Sequence, residues 1–380
     1  MRIRIGALLA TLLVVVGLVS GLTGAPAAAA GGDGQAVSSR ELPASMLPSG
    51  AARAVKVRYL TRNQSGQRVE GDGVVYYPHG AAPAGGWKVV SWAHGTSGIA
   101  PKCAPSHASG AEHDKSQPNI AAALKRGYVV TAPDYIGMSG TPGTEYLGGK
   151  SAGYNVIDMV RAARHTDAAI GRRWASLGHS QGGHAALWAT RLADSYAPEL
   201  RNVGTVAIAP ASQIESVIPL IASPATPNIG PLNRTALFAL YLLDGLDNSR
   251  PELNAGAALT PAGKYWLGRA RAECAADLNP KLANIAPGTL FRRSLNDAPL
   301  GPALRDYSAI PNYGWQQTRP IRIQQGITDM IVLPPMTAAL TAQLLQGGAT
   351  VNVGTYRGDH TGILRESMTD TYNTIDGYFR

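Results

Sequence analysis

Residues 173–188 read RWASLGHSQGGHAALW, and the fold turns on what surrounds Ser180 in them. Gly178-His179-Ser180-Gln181-Gly182 fits G-x-S-x-G, but so does Gly149-Lys150-Ser151-Ala152-Gly153, and a chain with 44 glycines can match that pattern by chance. Context separates the two. A nucleophilic serine on this motif sits on a tight turn between a buried strand and a helix, with flanking glycines that let backbones approach closely. RWASLGH reads as a strand running straight into Ser180, and GGHAALWATRLADSY after it reads as a helix. Ser151 follows GTPGTEYLGG, a loop, and reads as a helix start where serine caps free amides. Gly149-Lys150-Ser151 is not a phosphate loop either. That pattern needs glycine at position 144, which is Thr144, and no strand leads into it.

Working outward, AVKVRYLTR and RVEGDGVVYYP predict two strands joined by a turn at Asn63-Gln64-Ser65-Gly66. WKVVSWA, YVVTAPDY, RWASLGH and VGTVAIAPA predict four more, separated by helices over NIAAALKRG, AGYNVIDMVRAARH and the segment after Ser180. Strands alternating with helices imply a mainly parallel sheet with helices on both faces. Ser180 then follows the fifth predicted strand, where an α/β-hydrolase carries its nucleophile. The alternation breaks over 213–317, which holds apolar helical segments such as LFALYLLDGL and KYWLGRARAECAADL and no evident strand. This reads as an inserted helical cap. Alternation resumes with PIRIQQG, a helix over PPMTAALTAQLLQG, the strand ATVNVGTY and a last helix. The predicted organisation is a signal peptide at 1–30, a flexible leader at 31–52, core at 53–212, cap at 213–317 and core again at 318–380.

A serine hydroxyl needs a base, usually histidine, and a carboxylate to orient it. In this fold the chain order is Ser, acid, His. Seven of the eight histidines lie at or before position 184, which leaves His360, just past ATVNVGTYRG. Asp359 is adjacent, but neighbouring side chains on extended chain diverge. Asp329, in the loop after PIRIQQG, is the preferred partner, and Asp297 and Asp306 lie inside the insertion. The oxyanion needs amides, and the N–H of Gln181 and that of Thr96 in AHGTSG are the expected donors. His94 reads as a brace of that loop rather than as a base.

Met1-Arg2-Ile3-Arg4, an apolar run from Ile5 to Leu22 and small residues to Ala30 have the layout of a cleaved secretory signal. The chain beyond it, about 350 residues, suffices for one large α/β domain with an insertion. Removing Arg2 and Arg4 takes the formal charge from +9 to +7, and the basic residues form no nucleic-acid track. Cys103 and Cys274 are too few for a disulfide scaffold and lack zinc spacing. In an oxidising compartment such a pair is most simply one bridge.

The blocks AHGTSGIAPKCAPS, APDYIG, LGHSQGGHAALWA and IQQGITDMIVLPP with GDHTG resemble the secreted lipase family that includes the fungal lipase A type. The resemblance covers most of 50–380. It implies an α/β-hydrolase with a helical cap, a Ser180–Asp329–His360 triad, action on carboxylic esters, often of fatty acids, and a Cys103–Cys274 bridge from core to cap. The function expected is thus that of a secreted serine ester hydrolase acting through an acyl-enzyme, with neither metal nor organic cofactor. Its partner is a small-molecule or lipid ester, with transient contact at a lipid interface left open, as is the oligomeric state. A serine peptidase would need groups to grip a peptide amine or proline, and none is assignable. A non-catalytic binding protein would have lost a triad member, whereas all three candidates are present. An acyltransferase, with an alcohol in place of water, remains an alternative.

Overall fold

The architecture is that of a computed structural model, which describes residues 31–107, 111–140, 143–316 and 319–380. The leader read as a signal peptide, 1–30, lies outside the described residues. The first half runs β1 (Ala36–Glu41), β2 (Ala51–Arg62), β3 (Arg68–Pro78), β4 (Trp87–Ala93), α1 (Ala111–Lys125), β5 (Val129–Pro133), α2 (Gly149–Thr166), β6 (Ile170–His179), α3 (Gln181–Tyr196) and β7 (Arg201–Ile208). Five helices follow: α4 (Ile214–Ile221), α5 (Thr235–Ser249), α6 (Pro261–Ala270), α7 (Ala275–Leu282) and α8 (Leu300–Ser308). The chain closes with β8 (Ile321–Gly326), α9 (Pro334–Gln346), β9 (Val351–Tyr356), α10 (Ile363–Glu366) and α11 (Met368–Tyr378).

One nine-stranded sheet has the order β1-β2-β3-β5-β4-β6-β7-β8-β9. Pairs from β5 to β9 are parallel, and the three pairs that join β1, β2, β3 and β5 are antiparallel. Successive side chains of a strand face opposite ways. Val89 and Trp174 therefore pack with Val156, Ile157 and Ala185 on the α2–α3 side. Their neighbours Val90 and Ala175 pack with Ile120, Leu124, Tyr372 and Ile375 on the α1–α11 side. Burial on both faces is why the central strands read as nearly continuous apolar runs. The chain crosses from β5 back past β4 to β6, and the crevice at the carboxyl ends of strands beside such a reversal is where α/β sheets bind ligands.

Three readings of the sequence are corrected. The stretch 31–52 is not loose throughout, because β1 pairs with β2 from Ala36↔Tyr59 to Glu41↔Val55. Its sequence AVSSRE leaves five of six side chains exposed, so backbone pairing defines it and no apolar alternation announces it. Ser180 consequently follows the sixth strand. Helix α1 begins at Ala111, well before the expected Asn119, and carries Pro118 inside it. The last helix is broken between α10 and α11 at Ser367, whose Oγ donates to the Ile363 carbonyl. Among the described residues of 213–317 the only β pairings are two isolated bridges, Gly98↔Cys274 and Leu259↔Phe291. That helical segment has its own apolar core, including Leu237, Tyr241, Leu278, Phe291 and Leu304.

Candidate active site

Ser180 sits between the end of β6 and the start of α3 with φ 56° and ψ −117°. A non-glycine residue pays conformational strain there and is held only by its surroundings. The holding bonds are visible. The Ser180 N–H donates to the Ile208 carbonyl at the end of β7 (2.9 Å), and the Ser180 carbonyl accepts from the amides of Ala211 (3.0 Å) and His184 (3.1 Å). The two glycines of the motif are required by close approach. A Cβ on Gly178 would strike the Gly182 carbonyl, and one on Gly182 would strike the Ala93 carbonyl at the end of β4. Gln181 heads α3, so its amide is among the first four that lack an acceptor within the helix.

Ser151 differs at each point. It lies in the first turn of α2, fully buried, and its hydroxyl donates to the Gly148 carbonyl (3.2 Å). The expectation that it caps amides is corrected: Gln64 does so, its Oε1 accepting from the amides of Lys150 (2.9 Å) and Ser151 (3.1 Å).

Asp329 and His360 come together from the loops after β8 and β9. His360 Nδ1 lies 2.7 Å from Asp329 Oδ2, and both residues are buried. The other oxygen, Oδ1, accepts the amides of Ile331 (2.8 Å) and Val332 (3.0 Å). With a carboxylate on Nδ1, that nitrogen carries the proton and Nε2 is left to accept one. Asp359 is engaged elsewhere: its Oδ1 accepts the amides of Thr361 (3.1 Å) and Gly362 (2.7 Å). The Gly362 amide, and then that of Thr361, hold its carboxyl below the usual range. His179, next to Ser180 in the chain, ties the loop after β9 to the nucleophile turn. Its Nε2 is 2.7 Å from the His360 carbonyl, and the two rings are 4.8 Å apart.

Thr96 follows β4, and its Oγ1 is 2.7 Å from the Tyr146 hydroxyl. His94 braces this loop, with Nδ1 2.6 Å from the Gly95 carbonyl and its own carbonyl accepting from the Tyr135 hydroxyl (2.9 Å). Burial lowers its pKa to about 4, so the ring is neutral. The loop is also stitched to the helical segment. The Ala275 amide donates to the Ser97 carbonyl (2.9 Å), Gly98 pairs with Cys274, and Cys103 and Cys274 form a disulfide. A cleft lined by Ile99, Tyr135, Ile136, Met138, Tyr146 and Gln181 opens beside these residues. Buried Glu145 joins that lining and accepts the Gln64 amide (2.7 Å). His179, Tyr146 and Glu145 went unnoticed in the sequence. The x positions of a motif and a loop Glu-Tyr carry no periodicity that would mark them.

The fold and this constellation define an α/β-hydrolase of the ester-cleaving class. The sequence profile described as Secretory lipase matches residues 104–278. The chain is 28% identical over 345 residues to Lipase A of Moesziomyces aphidis, covering 85% of this chain and 71% of that protein. It is 29% identical over 247 residues to the secreted triacylglycerol lipase LIP4 of Malassezia furfur, covering 62% of this chain and 44% of that one. Its structure is similar to Candida antarctica lipase A in its closed state, with TM-score 0.73 and 26% identity over 87% of this chain and 78% of that one. The protein is a carboxylic ester hydrolase. Among the described residues no helix is long and apolar enough to cross a membrane, and no group of three or more His, Cys, Asp or Glu is placed to hold a metal ion.

Proposed function

We propose that this protein is a secreted lipase or esterase that cleaves carboxylic esters through an acyl-enzyme on Ser180, with His360 as base and Asp329 as its orienting acid. The observation that carries the reading is the 2.7 Å contact of His360 Nδ1 with Asp329 Oδ2, set beside the strained turn of Ser180. His360 Nε2 takes the Ser180 hydroxyl proton as Oγ attacks the ester carbonyl. The amides of Gln181 and Thr96 hold the negative oxygen that forms. The imidazolium returns the proton to the departing alkoxide. Water, losing its proton to His360, then attacks the acyl carbonyl and frees the acid and Ser180.

The helical segment 213–317 serves as the cap over this site. Secretion is supported by the basic and apolar start of the chain and by the secreted relative. Fatty-acyl substrates are supported by the relatives' names and by the surface around Asp329. Ile327, Met330 and Leu333 are exposed on the loop that carries the buried acid, an apolar rim suited to transient contact with lipid. The test is a rate profile across p-nitrophenyl esters from acetate to palmitate, alongside an emulsified triacylglycerol. Turnover of the esters with none of the emulsion would leave an esterase and remove the lipase. Turnover of neither would remove both.

A further inference from the structure

The mechanism above assigns no task to the ring of His179, although it is buried, next to Ser180 in the chain and 4.8 Å from the ring of His360. Its Nε2 lies 2.7 Å from the His360 carbonyl. A carbonyl only accepts, so Nε2 carries the hydrogen, as it does in the neutral Nε2–H tautomer. Burial, and then the charge of nearby His360, hold its pKa well below the ordinary histidine value, in keeping with that tautomer. Nδ1 has no hydrogen-bond partner among the described residues. The two rings stand 4.8 Å apart at a 43° tilt.

His360 needs such a hold. It lies beyond the end of β9 and before α10, where no sheet bond fixes it. Asp329 fixes the rotation of its ring through Nδ1, but that bond does not fix how far the backbone of His360 stands from Ser180. The His179 bond does, because its donor side chain belongs to the last residue of β6, one peptide from the nucleophile. A shift of about 1 Å between reacting groups can cost on the order of 100-fold in rate.

We infer that His179 is a positioning residue, whose Nε2–H bond to the His360 carbonyl sets the spacing between the base and Ser180. It rests on the assignment of Ser180, His360 and Asp329. Its neutrality also matters, since a charged ring at this distance would oppose the imidazolium that forms on His360.

The test uses the full chain in three variants. His179→Phe keeps an aromatic ring and deletes the donor, and His179→Gln restores a donor on a flexible stem. Ser180→Ala reports on the underlying assignment. The expected result is a kcat for His179→Phe lower by roughly 10- to 100-fold, KM within about twofold, and melting temperature close to that of the parent. His179→Gln should recover part of the loss. A His179→Phe variant that melts like the parent and keeps its kcat would overturn the inference while leaving the triad intact. Full activity in Ser180→Ala would remove the triad itself. A reading on the unaltered protein covers the case in which the variants do not fold. Nitrogen-15 histidine spectra should give His179 as the Nε2–H tautomer throughout the active pH range. An Nδ1–H tautomer, or a ring that titrates there, would end the proposal.

Discussion

At the scale of the residue, the chemistry depends on which atoms carry protons. Replacing Ser180 by Ala removes the attacking oxygen and leaves the amides of Gln181 and Thr96 in place. Turnover should fall by about 10⁴ or more, because oxyanion stabilisation and binding supply only residual catalysis. A fluorophosphonate should mark Ser180 and not the fully buried Ser151, and mass spectrometry of the labelled peptide checks it. The two acids beside His360 separate just as sharply. In Asp329→Asn the amide oxygen can still accept from Ile331 and Val332, so the loop should survive. Its NH2 would then face His360 Nδ1, push the ring's hydrogen to Nε2 and leave nothing to take the serine proton. A loss on the order of 10⁴ in kcat is expected. Asp359→Asn removes charge from a cap on the turn before α10, and should lower stability slightly with kcat nearly intact. Kinetics of the two variants side by side give the ranking, and the reverse order would reassign the acid. The pairing of His360 with Asp329 was legible because the order serine, acid, histidine left one late histidine and few carboxylates. His179 was not, since its partner is a backbone carbonyl 181 positions away in the chain.

At the scale of the element, the loop after β4 draws its shape from the helices and not only from the sheet. Ser97 accepts the first amide of α7, Gly98 pairs with Cys274, and Cys274 is bonded to Cys103, 171 positions earlier. Thr96 in turn touches Tyr146, whose ring packs edge-on to Tyr241 of α5 and whose carbonyl accepts the Tyr307 hydroxyl of α8. The expected oxyanion donor is thus suspended from the inserted helices. In the chain-entropy model a loop of this length is worth roughly 5 kcal/mol. Cys274→Ser should therefore lower the melting temperature by several degrees. It should also lower kcat well below that temperature, because the hold on Ser97 and Gly98 loosens with it. A variant that melts lower yet turns over at the parent rate would separate the bridge from the oxyanion loop. Mass spectrometry of the unreduced protein should find no free thiol. The sequence placed one cysteine in each element, but only the fold reveals the backbone pairing that runs beside the bond. The same limit hid β1, whose polar AVSSRE is a strand by backbone pairing with β2.

At the scale of the whole molecule, the alternation of strands and helices made the parallel sheet legible, because burial on both faces writes apolar runs into the chain. What it could not convey is how many ionisable groups the packing encloses, and these govern stability against pH. Glu145 is buried beside the Gln64 amide and the Ser151 hydroxyl, and no cation acts on it among the described residues. Desolvation pushes its pKa from the ordinary 4.5 up to about 7. The folded protein therefore binds more protons than the unfolded chain between about 4.5 and 7, and stability falls as pH rises through that window. Buried Asp134 and Asp158, raised to about 6 and about 7, act in the same sense. His94 and His184 oppose them, since burial lowers both to about 4 from 6.5. The unfolded chain binds more protons there between about 4 and 6.5, so their contribution rises with pH. The opposed slopes partly offset each other below 6.5. Above it the histidines have stopped contributing and Glu145 and Asp158 have not, so stability should fall most steeply between about 6.5 and 7. Glu145→Gln isolates one group. The amide can still accept from Gln64 and cannot ionise, so melting temperature should exceed the parent's at pH 8, for a gain of up to about 3 kcal/mol. The two should agree at pH 4, where Glu145 is protonated in both folded and unfolded chains. Thermal melts of parent and variant at half-unit pH steps decide it. A gain that is constant across pH would point to packing rather than to the proton.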